Sequence, residues 1–509
     1  MKKFLNIIFS RFVITALIVA MQLLLFFIGI YYLQYGYVFV SAILRIISFT
    51  AVLYLIWKDV NPSIKLAWIV PILTFPLLGG LIYLLYGHVV VPKKLKKNML
   101  RVHQQEILEN LRDGRDVPVS VCNGKPVKGL FTYTSDYGRA HLYENTETKY
   151  YSMGEYMYPD LLEDLRNAKK YIFLEFFIIN YGIMWDSVLE ILKKKVDEGL
   201  EVRVIYDDVG SVFNVPKKYF RELEGYGIKC ESFNRIAPVL VTILNNRDHR
   251  KIVSVDGRIA YTGGVNLADE YINVIHPHGI WKDSAIRLEG DAAWEFTLMF
   301  LKMWNAVRYT DPNYLNFIPD QVEKETAKGY VMPFATNPLG SEPVGENVFM
   351  QMINDAKKYI YIFTPYLIVG NEMMTACKLA AKRGVDIRIV TPGIPDKKMI
   401  YRMTQSTYKE LLKCGVKIYQ YTPGFIHSKC ILSDDELAFV GSINMDNRSF
   451  YHHYECGALL YKTSVIEELK RDMQATFLES EQIDLEWCRN NLSRVMLIDP
   501  ILRLLSPLL

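Results

Sequence analysis

The sequence predicts an α/β fold made of two like half-domains in a pseudo-two-fold arrangement, preceded by an N-terminal α-helical transmembrane region. Three observations carry this expectation. The chain opens on long apolar runs with almost no charge. A strand–helix–strand pattern then occurs twice, once on each side of residue 310. Each copy ends in a short segment holding a His, a Lys two residues later, an Asp and an Asn at the same offsets.

From Phe12 to Leu44 no residue is charged. About 20 apolar residues cross a bilayer, so Phe12–Leu33 and Tyr37–Trp57 are two expected spans. Arg45 falls inside the second, where it snorkels or meets a polar partner. A third apolar run, Leu66–Tyr86, contains Pro71, Pro76, Gly79 and Gly80, which interrupt a helix. Lys2, Lys3 and Arg11 precede the first span, Lys58 and Lys65 follow the second, and Lys93, Lys94, Lys96, Lys97 and Arg101 follow the third run. Two spans plus a re-entrant or interfacial third segment put all these clusters on the cytoplasmic side, as positive-inside asymmetry requires. The expected division is two transmembrane helices in 1–60, the interrupted segment in 61–92 and a basic linker in 93–125. The protein is thus expected in the cell membrane, multi-pass, with cytoplasmic catalytic units.

The rest divides at 126–310 and 311–509. The strand-like AKKYIFLEFFI (168–178) is repeated as AKKYIYIFTPYLI (356–368). The helix-and-strand segment 188–208 is matched by 376–393, and YGIKCESF (226–233) by CGVKIYQY (414–421). Strands alternating with helices predict mostly parallel sheets covered by helices. The Pro-containing, polar stretch Thr310–Pro343 reads as the join. IAPVLVTIL (236–244) has no counterpart in the second copy and reads equally as a lipid-facing element or an extra buried strand.

Bulk properties exclude some functions. With 59 Lys+Arg against 55 Asp+Glu, the net charge of +4 is too small for a phosphate-backbone binder. The cysteines at 122, 230, 377, 414, 430, 456 and 488 form no C-x-x-C pair and read as reduced core thiols.

The repeated segment is the chemical signal. In DHRKIVSVDGRIAYTGGVN (248–266), Asp256-Gly257 is a hairpin signal. A two-residue turn there would set Val255 opposite Arg258, Lys251 opposite Thr262 and His249 opposite Gly264. His249 and Lys251 then share a face, with Asn266 just beyond. Gly263 and Gly264 leave room beside His249 for a ligand. In the second copy His427, Lys429, Asp434, Gly441 and Asn444 take the same offsets, with Ser442 in place of the second Gly. An imidazole, an ammonium and an amide on one face suit a phosphate: Lys neutralises an oxygen, Asn donates, and His is nucleophile or proton donor. A metal reading fits poorly, because Lys rarely ligates metals and no His-x₃-His or Cys pair is near. Asp256 and Asp434 complete each motif at the turn ends, where fixing the local fold suits them better than touching substrate. The other seven histidines read as structural or surface residues, among them the pair His452-His453 and the loop residues His276 and His278.

The paired H-x-K-x₄-D motifs resemble those of the phospholipase D superfamily, and with the apolar N-terminus the chain is similar to the bacterial cardiolipin synthases. VIYDDVGS (204–211), 246–271, WKDSAIRLEG (281–290), GSINMDNRSFYHHYE (441–455) and the membrane-proximal 66–87 all carry the likeness. The resemblance implies two phospholipase D-like half-domains. It also implies phosphatidyl transfer between two phosphatidylglycerol molecules, giving cardiolipin and glycerol through a phosphohistidine. Hydrolysis of phospholipids by the same residues is the alternative. His249, Lys251, Asp256, His427, Lys429 and Asp434 would be the catalytic set. Asn266, Asn444, Gly264 and Ser442 would border the substrate, and Asp283 and Glu455 would support the active-site histidines. His249 is favoured as nucleophile, by the room at Gly263-Gly264 and by the family's usual order. His427 would be the acid, held protonated by a carboxylate such as Glu455. No cofactor or metal is implied. The implied partners are phosphatidylglycerol, membrane lipids and the bilayer, with no nucleic acid, and a homo-oligomer is compatible with the sequence.

Overall fold

The computed structural model describes residues 38–58, 61–75, 95–102, 115–235, 246–310, 313–320, 327–340 and 342–492, with a few isolated positions besides. The first expected span and the 236–244 segment fall almost wholly outside the described residues. The second span coincides with helix Val38–Trp57, and helix Pro62–Thr74 follows, carrying Pro71. Asn61 caps that second helix by accepting the Ser63 N–H, and its amide reaches the Tyr451 hydroxyl. Val52, Leu55, Trp68, Ile72 and Tyr83 pack together, while Ile43, Ile46, Ile47, Phe49, Leu53 and Trp57 stay exposed. Among the described residues no helix is long and apolar enough to cross a membrane.

The first sheet contains β1 (Thr146–Tyr151), β2 (Tyr171–Phe176), β3 (Glu201–Asp207), β4 (Lys229–Phe233), β5 (Lys251–Val255), β6 (Ile259–Gly263) and β8 (Ala285–Gly290). Their spatial order is β1-β8-β6-β5-β2-β3-β4. A short strand β7 (Ile280–Lys282) stands apart from that sheet. The second sheet contains β9 (Tyr330–Thr336), β10 (Tyr359–Phe363), β12 (Asp386–Pro392), β13 (Lys417–Tyr421), β15 (Cys430–Ser433), β16 (Leu437–Gly441), β18 (Glu455–Tyr461) and β19 (Ser480–Ile483). Its order is β19-β13-β12-β10-β15-β16-β18-β9. Short strands β11 (Leu367–Ile368), β14 (Gly424–Ile426) and β17 (Met445–Asp446) lie outside it.

The repeat is therefore real in three dimensions. β2, β3 and β4 run parallel, as do β10, β12 and β13. The helices between them, Ile183–Asp197 and Asn371–Lys382, bury one apolar face each. The sheets are mixed rather than mostly parallel, which corrects the expectation. A tight hairpin can only join antiparallel strands, so β5 with β6 and β15 with β16 reverse half of each sheet.

Side chains from both sheets meet in one apolar layer. Ile252, Ala260, Ile286 and Leu288 of the first pack with Leu432, Ala438, Val440, Ala458 and Leu460 of the second. Helix Ala293–Val307 is buried along almost its whole length beside this layer. The expected division at residues 126 and 311 also shifts. Cys122, Val127, Leu130, Phe131 and Leu142 enter the core of the second half, with Met332, Val348 and Phe349. Helix Lys128–Gly138 thus belongs with the later unit although it precedes the first. The join is likewise shorter than Thr310–Pro343, because β9 pairs along its length with β18.

Candidate active site

Each histidine is delivered by an extended segment that enters its own half and is stitched to the other. The His249 N–H donates to the Tyr454 carbonyl at 3.0 Å, and the Tyr454 N–H donates to the Arg247 carbonyl at 2.9 Å. In the mirror position the His427 N–H donates to the Lys282 carbonyl at 2.7 Å, where β14 pairs in parallel with β7. The residue after each of those carbonyls is a carboxylate, Glu455 and Asp283. His249 Nδ1 lies 2.9 Å from both Glu455 oxygens. His427 Nδ1 lies 2.6 Å from Asp283 Oδ2. Each imidazole is thus oriented by the opposite half. The resemblance suggested a carboxylate such as Glu455 beside His427; Glu455 instead holds His249 and Asp283 holds His427, because the parallel stitches cross between the halves.

The two lysines are buried with them, Lys251 at 2 % exposure and Lys429 at 1 %. Lys251 Nζ donates to the His249 carbonyl at 2.6 Å, and Lys429 Nζ does the same to the His427 carbonyl. Burial pulls the Lys251 ammonium down to about 7 and that of Lys429 to about 8, despite nearby Glu455 and Asp283. Burial, helped by the same two lysines, keeps His249 well below the ordinary imidazole range. His427 is also pulled down, to about 4, by burial and Lys429 against the upward pull of Asp283. The expectation that a neighbouring carboxylate keeps His427 protonated therefore fails for the site as it stands. Desolvation and the lysine charge outweigh the carboxylate.

The remaining predicted residues sort into two groups. Asn266 and Asn444 are buried near the histidine strands. Asn266 accepts the Ile178 N–H at 3.0 Å and donates to the Tyr271 hydroxyl at 2.8 Å, and that tyrosine's ring lies 5.5 Å from the His427 ring. Asn444 Oδ1 is buried without a hydrogen-bond partner among the described residues. Gly264 does not leave space for ligand: a Cβ there would sit 2.0 Å from Asp283 Oδ1. Its missing side chain is what admits the carboxylate that holds His427. At the matching position Ser442 donates through Oγ to Glu455 Oε2 at 2.5 Å.

Asp256 and Asp434 sit apart from this group, at the hairpin turns. Asp256 accepts the N–H groups of Lys169, Lys170 and Tyr171 at 2.7–2.8 Å. Asp434 accepts those of Lys357, Lys358 and Tyr359 at 2.7–2.9 Å. Both take left-handed φ, 54° and 53°. Their geometry is that of turn-fixing residues and not of groups meeting substrate. It also resets the register: Val255 opposes Ile259 rather than Arg258, so residues 256–258 form a three-residue loop.

Several residues at the site went unread in the sequence. Asp207, at the end of β3, accepts the Asp248 N–H at 3.0 Å and an Arg247 guanidinium hydrogen at 3.3 Å, fixing the approach to His249. Beside it Arg250 lies 3.6 Å from Glu175, both buried. Phe177 packs on His249, while Trp281 and Phe425 pack on His427, with ring centroids 4.9–5.7 Å apart. His453, read from the sequence as a structural or surface residue, also belongs to the site. It is buried, its ring centroid lies 5.4 Å from that of His249, and its Nδ1 lies 3.5 Å from Glu455 Oε1. The signal was available in His453-x-Glu455, two residues apart.

Comparison with known proteins agrees with this geometry. The family described as "Cardiolipin synthase, PLD-like domain" matches residues 161–304 and 349–477, and one described as phospholipase D-nuclease N-terminal matches 46–87. An uncharacterized protein of Streptococcus mutans is 39 % identical over 90 % of this chain and 99 % of its own. A cardiolipin synthase of Alkalihalophilus pseudofirmus is 33 % identical over 89 % of this chain and 90 % of its own. Among solved structures, a phosphatidylserine synthase of Haemophilus influenzae shares the fold, with a TM-score of 0.56 at 13 % identity over 75 % of this chain and all of that one. Matched in both halves and along most of its length, the chain belongs to the cardiolipin synthase family with phospholipase D-like domains.

Proposed function

We propose that the protein is a cardiolipin synthase, transferring a phosphatidyl group from one phosphatidylglycerol to the terminal hydroxyl of another and releasing glycerol. The observation that carries this reading is the crossed pair, each buried histidine held at Nδ1 by a carboxylate of the other half. Such a hydrogen bond leaves Nε2 to react and stabilises positive charge on the ring as it develops.

In the proposed sequence His249 Nε2 attacks phosphorus and the bond to the departing glycerol oxygen breaks. His427 gives that oxygen a proton. The hydroxyl of the second lipid then loses its proton to His427 and attacks phosphorus, and the P–N bond breaks. Lys251, Lys429, Asn266 and Asn444 hold the phosphoryl oxygens as charge builds on them. His249 suits the nucleophile because its surroundings disfavour the protonated ring. His427 keeps the upward pull of Asp283, and an incoming phosphodiester anion adds to it, so this ring gains its proton with substrate. Gly264 offers no room beside His249, since the Asp283 carboxylate fills the space a side chain would take. Asp256 and Asp434 are assigned to the fold.

The membrane region completes the reading. The exposed apolar face of helix Val38–Trp57 and the packed helix after it suit a lipid environment, and anchor the catalytic halves where substrate and product reside. The proposed arrangement is two spans with the 61–92 segment interfacial and the catalytic halves cytoplasmic.

The test is purified protein with phosphatidylglycerol vesicles and a chelator, analysed by mass spectrometry. Cardiolipin and glycerol in equal amounts are expected. Phosphatidic acid as sole product would make the protein a hydrolase, and loss of activity restored by one divalent ion would overturn the metal-free chemistry.

A further inference from the structure

His453 has no part in the transfer derived above, yet it is more than nine-tenths buried. Its Nε2 has no hydrogen-bond partner among the described residues, and its Nδ1 meets only Glu455, in a long contact of 3.5 Å. Burying polar atoms without partners is costly, and here they adjoin a carboxylate and a second imidazole. One ligand atom from each of His249, His453 and Glu455 falls within a 4.8 Å set. The closest approaches are 2.9 Å from His249 Nδ1 to Glu455 and 3.5 Å from His453 Nδ1 to Glu455. Tetrahedral coordination at about 2.0–2.1 Å sets neighbouring ligand atoms roughly 3.3 Å apart. The two distances to Glu455 bracket that value, and the two imidazoles, with ring centroids 5.4 Å apart, complete the set within 4.8 Å.

We propose that His249, His453 and Glu455 form an inhibitory site for a borderline-soft dication of the Zn²⁺ type. Two imidazoles and one carboxylate are a donor set found in zinc sites that keep a fourth position open to water. The buried ammonium groups of Lys251 and Lys429 oppose a dication, which makes this a reversible regulatory site and not the seat of a resident cofactor. Inhibition follows from proton placement. With the metal on Nδ1 in place of its hydrogen, the single proton of the neutral His249 ring moves to Nε2 through solvent. That nitrogen then has no lone pair to offer phosphorus. No covalent bond to carbon or phosphorus changes, and removing the metal restores the original tautomer.

The inhibition arm rests on the proposed role of His249; the binding arm does not. Full-length protein in phosphatidylglycerol vesicles is assayed with rising ZnCl₂, then with excess chelator. His453→Asn and His453→Gln are treated identically, each activity divided by its own metal-free value so that effects of zinc on lipid cancel. Wild type should lose activity and regain it with chelator. Both variants should need at least roughly tenfold more zinc, since losing even an outer-sphere partner weakens metal affinity about 10–100-fold. In parallel, CoCl₂ is added and the visible band of tetrahedral Co²⁺ followed. One equivalent should develop the band in wild type and not in the variants, whose thermal unfolding is measured to establish that they fold. Equal zinc sensitivity in wild type and folded variants, or a cobalt band that persists without His453, overturns the proposal. A cobalt band lost with His453, in protein that makes no cardiolipin in chelator, would leave the metal site standing and defeat the transferase reading instead.

Discussion

Changing Asp283 to Asn tests whether the halves depend on each other. Asp283 is wholly buried and accepts from His427 Nδ1 at 2.6 Å, while its other oxygen takes the Ser284 N–H at 2.9 Å. A hydrogen bond to a charged partner contributes about 1.5–3 kcal/mol. At ~1.36 kcal/mol per factor of ten, its loss should lower kcat/KM roughly 10- to 150-fold. If the amide turns its NH₂ toward the ring, the imidazole takes the wrong tautomer and the loss approaches about 10⁴. The assay is the initial rate of cardiolipin formation, repeated with a nitrophenyl ester of phosphatidic acid whose leaving group needs no proton. In the first-turnover burst of nitrophenolate from that ester Asp283→Asn should recover at least roughly tenfold relative to wild type, because His427 is not needed as an acid in that step and acts again only as the base of the second. Glu455→Gln, acting on His249, should stay equally impaired with both substrates. A loss under about threefold for Asp283→Asn with the natural substrate would refute the crossed pairing as a functional device. Recovery by Glu455→Gln instead would exchange the roles of the two histidines.

Asp256→Ala should cost ~1–3 kcal/mol in denaturant unfolding, since three backbone N–H groups lose their acceptor. The folded variant should turn over at close to the normal rate, and a large kcat loss at unchanged stability would return Asp256 to the chemistry. His427 also sets a pH dependence of stability. Its folded value of about 4 lies below the ordinary 6.5, so between those pH values the unfolded chain takes up a proton that the folded one refuses. On account of His427 alone stability should fall by about 3 kcal/mol as pH drops through that window, at ~1.36 kcal/mol per unit, in addition to what the likewise depressed His249 and His453 remove. His427→Gln should make that limb shallower in pH-dependent unfolding, with His249 and His453 supplying the remainder, and an unchanged slope would remove His427 as a contributor. Reporter fusions placed after residue 100 should label as cytoplasmic, whereas outside labelling would make the third apolar run a full span.

Much of the fold was legible because the chain says it twice. The strand at 171–176 and its echo at 359–363, with the helices and strands behind them, fall where the repeated apolar pattern puts them. Helix Lys128–Gly138 misled because apolar spacing shows that a face is buried and not which core buries it. The hairpin register slipped by one because Asp256 serves distant N–H groups, a tertiary demand invisible to turn propensity. The histidines and lysines were readable from their spacing. Asp283 and Glu455 were named from the family likeness, but not which histidine each holds: Glu455 lies 206 positions from His249, and Asp283 144 from His427. Gly264 was read as empty space because sequence shows a missing side chain but not what fills the gap.

On the proposed chemistry the crossing of the carboxylates would also govern when in synthesis the protein becomes reactive. During synthesis the hairpin bearing His249 is complete long before Glu455 is made, and His427 likewise precedes the strand that begins at Glu455. An N-terminal anchor would hold a nascent chain against its lipid substrate throughout this period. Until residue 455 has emerged and β18 has paired with both β16 and β9, His249 has nothing to fix its tautomer. On the proposed chemistry reactivity would switch on only with these late strands, and a truncated or stalled chain would be an unarmed protein.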